Sequence, residues 1–322
     1  MSSFKPSHRP RPSGAEAGFL LTMASMSTVQ LGSALTVPLF DRLTALGTAG
    51  LRLGWAGVLL LVLVRPRRRD FTRRDLSACT LLGAATAGMM LFFMLALARL
   101  PLGTASALEF LGPLAVSLFG PGRGRKVWTA AAAAGVVLLT GPWHGGLDPL
   151  GAGYALAAAA CWAAYILLTQ RVGDSVTGLK GLAVSMPVAG VLGMAVAAPA
   201  VSAHVTWPTL WIMLALAALS PVLPFALEFL ALRRLTTSAF GTLLSLEPAI
   251  AMLIGLVVLG QRPGLAPAVG IVFVVVAGIG VTRAGARPAT APEGAPALGD
   301  AGGPHPPDDA RDVRPSTACP TR

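Results

Sequence analysis

Read only for apolar and polar positions, the chain alternates long stretches of Ala, Leu, Val, Gly and Met with short polar breaks. The apolar runs are 17–38, 45–64, 76–98, 101–120, 127–142, 151–170, 179–201, 209–232, 235–260 and 264–282. Most are close to the roughly 20 residues that carry a helix across about 30 Å of hydrocarbon. None shows the strict apolar–polar alternation of a membrane β-barrel strand. Lipid offers the backbone no hydrogen-bond partner, so such runs are helices. The pattern predicts an all-α membrane protein with ten transmembrane helices.

Composition agrees. Hydrophobic residues make up 54% of the chain and charged residues only 12%. A soluble domain carries roughly 25% charged residues, so this chain has too little polar surface to cover a globule in water. The net charge of +11 does not indicate nucleic acid, because the Lys and Arg residues sit in alternate loops. Lys5, Arg9 and Arg11 precede the first run, and Arg65 to Arg74 join the second and third. Arg123, Arg125, Lys126, Arg171, Lys180, Arg233, Arg234, Arg283 and Arg287 fill the other basic breaks. The intervening loops hold only Arg42, Arg99 and Arg262, and those around His144 and His204 hold neither Lys nor Arg. Short cytoplasmic loops retain the positive excess, so both termini are expected in the cytoplasm. The basic loop 65–74 also suits anionic lipid headgroups.

Residues 1–15 and 283–322 read as polar cytoplasmic tails, the second too rich in Pro, Gly and Asp to repay its ordering entropy. The first run lacks a small-residue cleavage site and is expected as a retained span. Cys79, Cys161 and Cys319 are dispersed, with no disulfide frame or metal-ligand spacing.

The chain also repeats itself. At an offset of 135 residues Gly18 meets Gly153, Pro113 meets Pro248, Gly120 meets Gly255 and Gly135 meets Gly270, and "ALARL" (96–100) lies over "ALRRL" (231–235). Two units of five helices follow, 16–142 and 151–282. An odd helix number turns the second unit over, giving two inverted five-helix repeats. Such repeats bind cargo between their halves near the midplane in secondary transporters.

Against this background a few residues stand out. A charge at the bilayer centre costs at least about 2.5–3.5 kcal/mol, yet Glu109, Glu228, Glu247 and Arg52 fall inside apolar runs. They read as groups facing an interior, either binding cargo and protons or locking helices by an ion pair. Pro113, Pro248 and Pro224 lie beside the acids. A proline removes its own N–H and so frees the carbonyl four residues earlier, which for Pro113 is that of Glu109. Gln30 and its offset counterpart Tyr165 are further binding candidates, as are Ser25, Ser27 and Thr28, although Ser and Thr in such helices also serve as packing contacts. No nucleophile–base pair, HExxH or phosphate-binding loop is present, and "GPGRGRK" (120–126) lacks the GxxxxGK[ST] pattern. Neither an enzyme nor a cofactor is expected.

The doubled unit, with Glu-Pro in its ninth run, resembles the EamA repeats of the drug/metabolite transporter superfamily. The segments "LPLGTASALEFLGPLAVSLF", "ACWAAYILLTQRVG" and "LPFALEFLALRRLTTSAFGTLLSLEPAIA" closely resemble the bacterial threonine/homoserine exporter family. The resemblance spans about residues 15 to 285. It implies proton-driven export of small amino acids and carries Glu109, Glu228, Glu247 and Pro248 over as matched motif positions. The basic loop 65–74 and the Pro-rich tail are departures from it. The partners expected are a small amino acid, protons and the bilayer. Other metabolites or cationic drugs are the alternative cargo. A homodimer is compatible with the sequence, which sets no oligomeric state.

Overall fold

The structure, a computed structural model, describes residues 14–67, 71–119, 125–140, 147–176, 180–232, 234–235 and 237–284. The expected tails lie almost wholly outside these, as do most of the basic break 120–126 and the loop around His144. Among the described residues there is no strand. The helices are α1 (Gly14–Thr36), α2 (Phe40–Val64), α3 (Arg73–Leu97), α4 (Leu102–Glu109), α5 (Leu111–Phe119), α6 (Arg125–Thr140) and α7 (Pro149–Ser175). They continue with α8 (Lys180–His204), α9 (Trp207–Ala217), α10 (Leu223–Leu232), α11 (Thr237–Leu244), α12 (Glu247–Leu259) and α13 (Leu265–Ala284).

Five helical stretches are long and apolar enough to cross a membrane: Ala15–Val64, Arg73–Leu97, Pro149–Val172, Lys180–Pro199 and Thr242–Leu259. The first combines α1 and α2 through a 3₁₀ turn at Val37–Leu39. Shorter apolar helices cover Leu102–Val116, Val127–Leu139, Trp207–Val222 and Leu265–Gly280. Trp207, Trp211, Val191, Val257 and Leu265 are exposed on their outer faces, a surface suited to lipid rather than water.

Local chemistry sets several helix ends. Thr72 and Asp75 form a reciprocal capping box at the start of α3. The Asp148 carboxylate accepts from the backbone N–H groups of Leu150 and Gly151, with Pro149 in the first turn of α7. α12 stops at Gly260, whose φ of +65° is a left-handed cap that glycine adopts without strain. α2 departs from helical geometry at Thr44 (φ 60°, ψ 166°), directly before the apolar run that begins at residue 45.

Three of the expected runs are not single helices. The run 101–120 breaks at Phe110 into α4 and α5, and 235–260 breaks after Leu244 into α11 and α12. The run 209–232 breaks at a π-helical turn, Ala218–Val222, where Ser220 is extended (φ −157°, ψ 110°). Each break lies within four residues of a proline, because Pro113, Pro248 and Pro224 cannot donate to the carbonyls of Glu109, Leu244 and Ser220. The third break falls on Ser220 and Pro221; Pro224 itself sits in the first turn of α10.

Small residues bring the helices close, as is usual where lipid supplies no hydrophobic drive. α2 packs along α8: a Cβ on Gly50 would lie 2.7 Å from the Gly193 carbonyl oxygen, and one on Gly57 would lie 3.0 Å from that of Met186. Rising numbers on α2 meet falling numbers on α8, so the two run antiparallel. The same holds for α6 with α13, where Gly135 abuts Gly270 and Gly280 abuts Trp128. α4 crosses α12 with Gly103 against Met252 and Gly255 close to Leu102. α3 lies on α7, and α1 on α10. The largest buried cluster among the described residues joins α1 (Ala34), α2 (Ala45 and Ala49), α3 (Phe93, Met94, Ala96 and Leu97), α4 (Leu102, Ala105 and Leu108), α7 (Ala155 and Ala158) and α12 (Ala251).

Candidate functional site

The breaks place the acids. Glu109 is the last residue of α4 and Glu247 the first of α12, each only 8% exposed. α4 and α12 cross antiparallel, which brings the end of α4 toward the start of α12. Gln30 of α1, 2% exposed, reaches both helices. Its Nε2 donates to Glu247 Oε1 at 3.0 Å and to Ser106 Oγ of α4 at 3.4 Å. Gln30 Oε1 is buried with no hydrogen-bond partner.

Glu228 extends the group. Ser25 Oγ of α1 donates to Glu228 Oε1 at 3.0 Å and lies 3.4 Å from the Pro224 carbonyl oxygen. The Glu228 carboxyl is within electrostatic reach of Glu247 on one side and of the Tyr165 hydroxyl of α7 on the other. Glu109 is likewise within reach of Cys161 on α7. The structure therefore brings Glu109, Glu247, Glu228, Gln30 and Tyr165 into one neighbourhood lined by α1, α4, α7, α10 and α12.

Arg52 is placed differently. It is fully buried in α2, yet it forms no ion pair with the three acids. Its Nη2 donates to the Ser220 carbonyl oxygen at 3.1 Å and to Ser220 Oγ at 3.0 Å. Nη1 reaches Thr36 Oγ1 at 3.4 Å and Met94 Sδ at 3.8 Å. The Ser220 carbonyl is the one Pro224 leaves without a helical donor, so Arg52 caps the break between α9 and α10. An ion pair does form elsewhere, between Arg99 and Asp148 at 2.7 Å. Arg99 beside it holds the Asp148 carboxyl below the usual carboxylate range.

Ser106, Ser220 and Thr36 are the polar contacts the sequence reading did not single out. Serine and threonine are too frequent in membrane helices for composition to mark them. Among the described residues no three His, Cys, Asp or Glu groups are arranged to hold a metal ion. Buried acids of this kind can instead take up and release protons or hold a cation.

Comparison with known proteins bears on which. Residues 149–283 match the sequence profile of the EamA-like transporter family. The chain is 38% identical over 246 residues to the threonine/homoserine exporter RhtA of Salmonella typhimurium strain LT2, covering 75% of this chain and 83% of that protein. With the threonine/homoserine exporter RhtA of Escherichia coli strain K12 it shares 37% identity over the same length and coverage. A crystal structure of another protein superposes with a TM-score of 0.52 at 19% identity, over 82% of this chain and 97% of that one. That last similarity concerns the fold alone.

Proposed function

Because the chain belongs to the EamA-like transporter family, we propose that it exports small amino acids of the threonine and homoserine kind, by proton antiport through alternating access, across a bacterial inner membrane. The carrying observation is that Glu109 and Glu247 are both buried at helix breaks, with Gln30 bonded to Glu247 and, among the described residues, no ion pair to either acid. A carboxyl so placed can hold a proton or the ammonium group of an amino acid, but not both. Competition for one acid is the simplest physical basis for exchanging the two. Glu228, hydrogen-bonded to Ser25 and near Tyr165, is the next acceptor along α10.

Two inverted repeats of five spans, 16–142 and 151–282, are part of this proposal. The packing supports it. α2 with α8 and α6 with α13 each join a helix to its counterpart at the offset of 135 residues, and the run 101–120 meets its counterpart run 235–260 through α4 and α12. The pairs α1 with α10 and α3 with α7 exchange under that same offset. Halves that pack on their own counterparts can trade conformations, which is the physical content of alternating access.

The test is transport in inverted vesicles under an imposed pH gradient, offered labelled threonine, homoserine and a panel of other solutes. Uptake of threonine or homoserine that collapses with the gradient is expected. Gradient-driven uptake of organic cations without either amino acid would move the cargo to the alternative class. Topology gives a second expected outcome. Reporter fusions after Arg287 and in the loop near His144 should lie on opposite sides of the membrane, with Arg287 cytoplasmic. Both reporters on one side would overturn the ten-span count.

A further inference from the structure

Arg52 carries a charge that no acid among the described residues pairs with. Its neighbours Ser220, Thr36 and Met94 are all neutral, and its Nε is buried without a hydrogen-bond partner. Capping the Ser220 carbonyl needs only a neutral donor. A buried ion without a counter-charge is costly, and a guanidinium presents a planar fork matched to a carboxylate. On this side chain the fork's side-on edge is formed by Nε–H and one Nη2–H. The Nε–H is unused, and both Nη2 contacts go to the single residue Ser220.

The guanidinium also lies near the acids. It contacts α1 at Thr36 and comes within 3.8 Å of a Cβ built on Gly32, whereas Gln30 faces Glu247 from the same helix. At 1.5 Å rise per residue, positions 32 and 36 are about 3 to 9 Å along the axis from position 30. A ligand whose ammonium and carboxylate are about 3 Å apart, with a hydrogen bond of about 3 Å at each end, spans about 9 Å.

We propose that the Nε–Nη2 edge of Arg52 is the receptor for the carboxylate of the transported amino acid, which displaces one of the two Ser220 contacts when it binds. The inference rests on the exporter reading and adds the recognition element for the anionic end of the cargo. Both charges of the zwitterion are then read, the ammonium at the acids and the carboxylate at α2. An amine without a carboxylate is rejected at this point.

The test is displacement of labelled threonine from the purified full-length protein in lipid nanodiscs, by unlabelled threonine and by threonine amide. The amide keeps the ammonium and the hydroxyl and lacks the negative charge. The wild type should bind the amide between about 10- and 100-fold more weakly, the equivalent of one charge-assisted hydrogen-bond set. Arg52→Gln should weaken threonine to the level of the amide, with Arg52→Lys in between. Ser220→Ala, which removes a competitor for Nη2, should leave threonine binding equal or tighter. A wild type that binds both compounds alike overturns the inference whatever the variants do. So does a fall in threonine and amide binding that Arg52→Gln and Ser220→Ala share, because that marks the bridge as purely structural. A wild type that binds neither compound removes the exporter reading itself, and this inference with it.

Discussion

Replacing Glu109 with Gln is expected to reduce proton-driven net export of threonine or homoserine to background while the protein still folds and inserts. The amide keeps the shape of the carboxyl and can still hydrogen-bond, but it neither titrates nor pairs with an ammonium group. Glu109 is the residue to change first, because it ends α4 where the helix breaks and is buried there. Gln matches the carboxyl in size, so thermal stability in detergent should be unchanged. Counterflow exchange that remains should be flat between about pH 5 and 8, a range in which a buried carboxyl can titrate in the wild type. Normal export with the wild-type pH profile would take Glu109 out of the mechanism and turn attention to Glu247 and Glu228.

The second large effect concerns packing. A Cβ on Gly112 would collide with the carbonyl oxygen of Ala159 and lie 2.9 Å from its carbonyl carbon. These are main-chain atoms of α7, so no side chain can rotate aside and α5 must move away from α7. Gly112→Ala, ordinarily a favourable exchange in a helix, should destabilise the protein by about 3 kcal/mol or more, the upper part of the range for overpacking. Gly153→Ala is the control, since nothing lies within 4 Å of a Cβ there. That change should be neutral or stabilising, by up to about 1 kcal/mol. Thermal midpoints from size-exclusion chromatography of the detergent-solubilised proteins would separate the two. Equal midpoints for both variants would show that the close approach of α5 to α7 does not matter for stability.

The character of the fold is legible in the pattern because each apolar run must satisfy its own backbone, and lipid leaves only the helix. The prolines flagged where helices fail, but only to within about four residues. Pro221 and Pro224 together mark the run 209–232 as loosened, and the extended residue is Ser220, directly before Pro221. The acids were conspicuous because a carboxylate in an apolar run is costly. The pairings were not. Gln30 bonds to Glu247 across 217 positions and Arg52 to Ser220 across 168. No local spacing encodes such pairs. Arg52 is the sharpest case: an arginine among acids suggests an ion pair, and only the packing of α2 against the α9–α10 turn shows it bound to a serine and its carbonyl instead.

Main-chain acceptors have a property the side chains around them lack. The carbonyls that Pro113, Pro224 and Pro248 deprive of a helical donor belong to Glu109, Ser220 and Leu244, and no substitution at those three positions can delete the carbonyl itself. Only exchanging the proline would restore the N–H and mend the turn. Polarity written into the backbone in this way persists while its surroundings drift. A scaffold of this kind can change the side chains around the breaks one at a time without at any step losing the polar interruption in its helices.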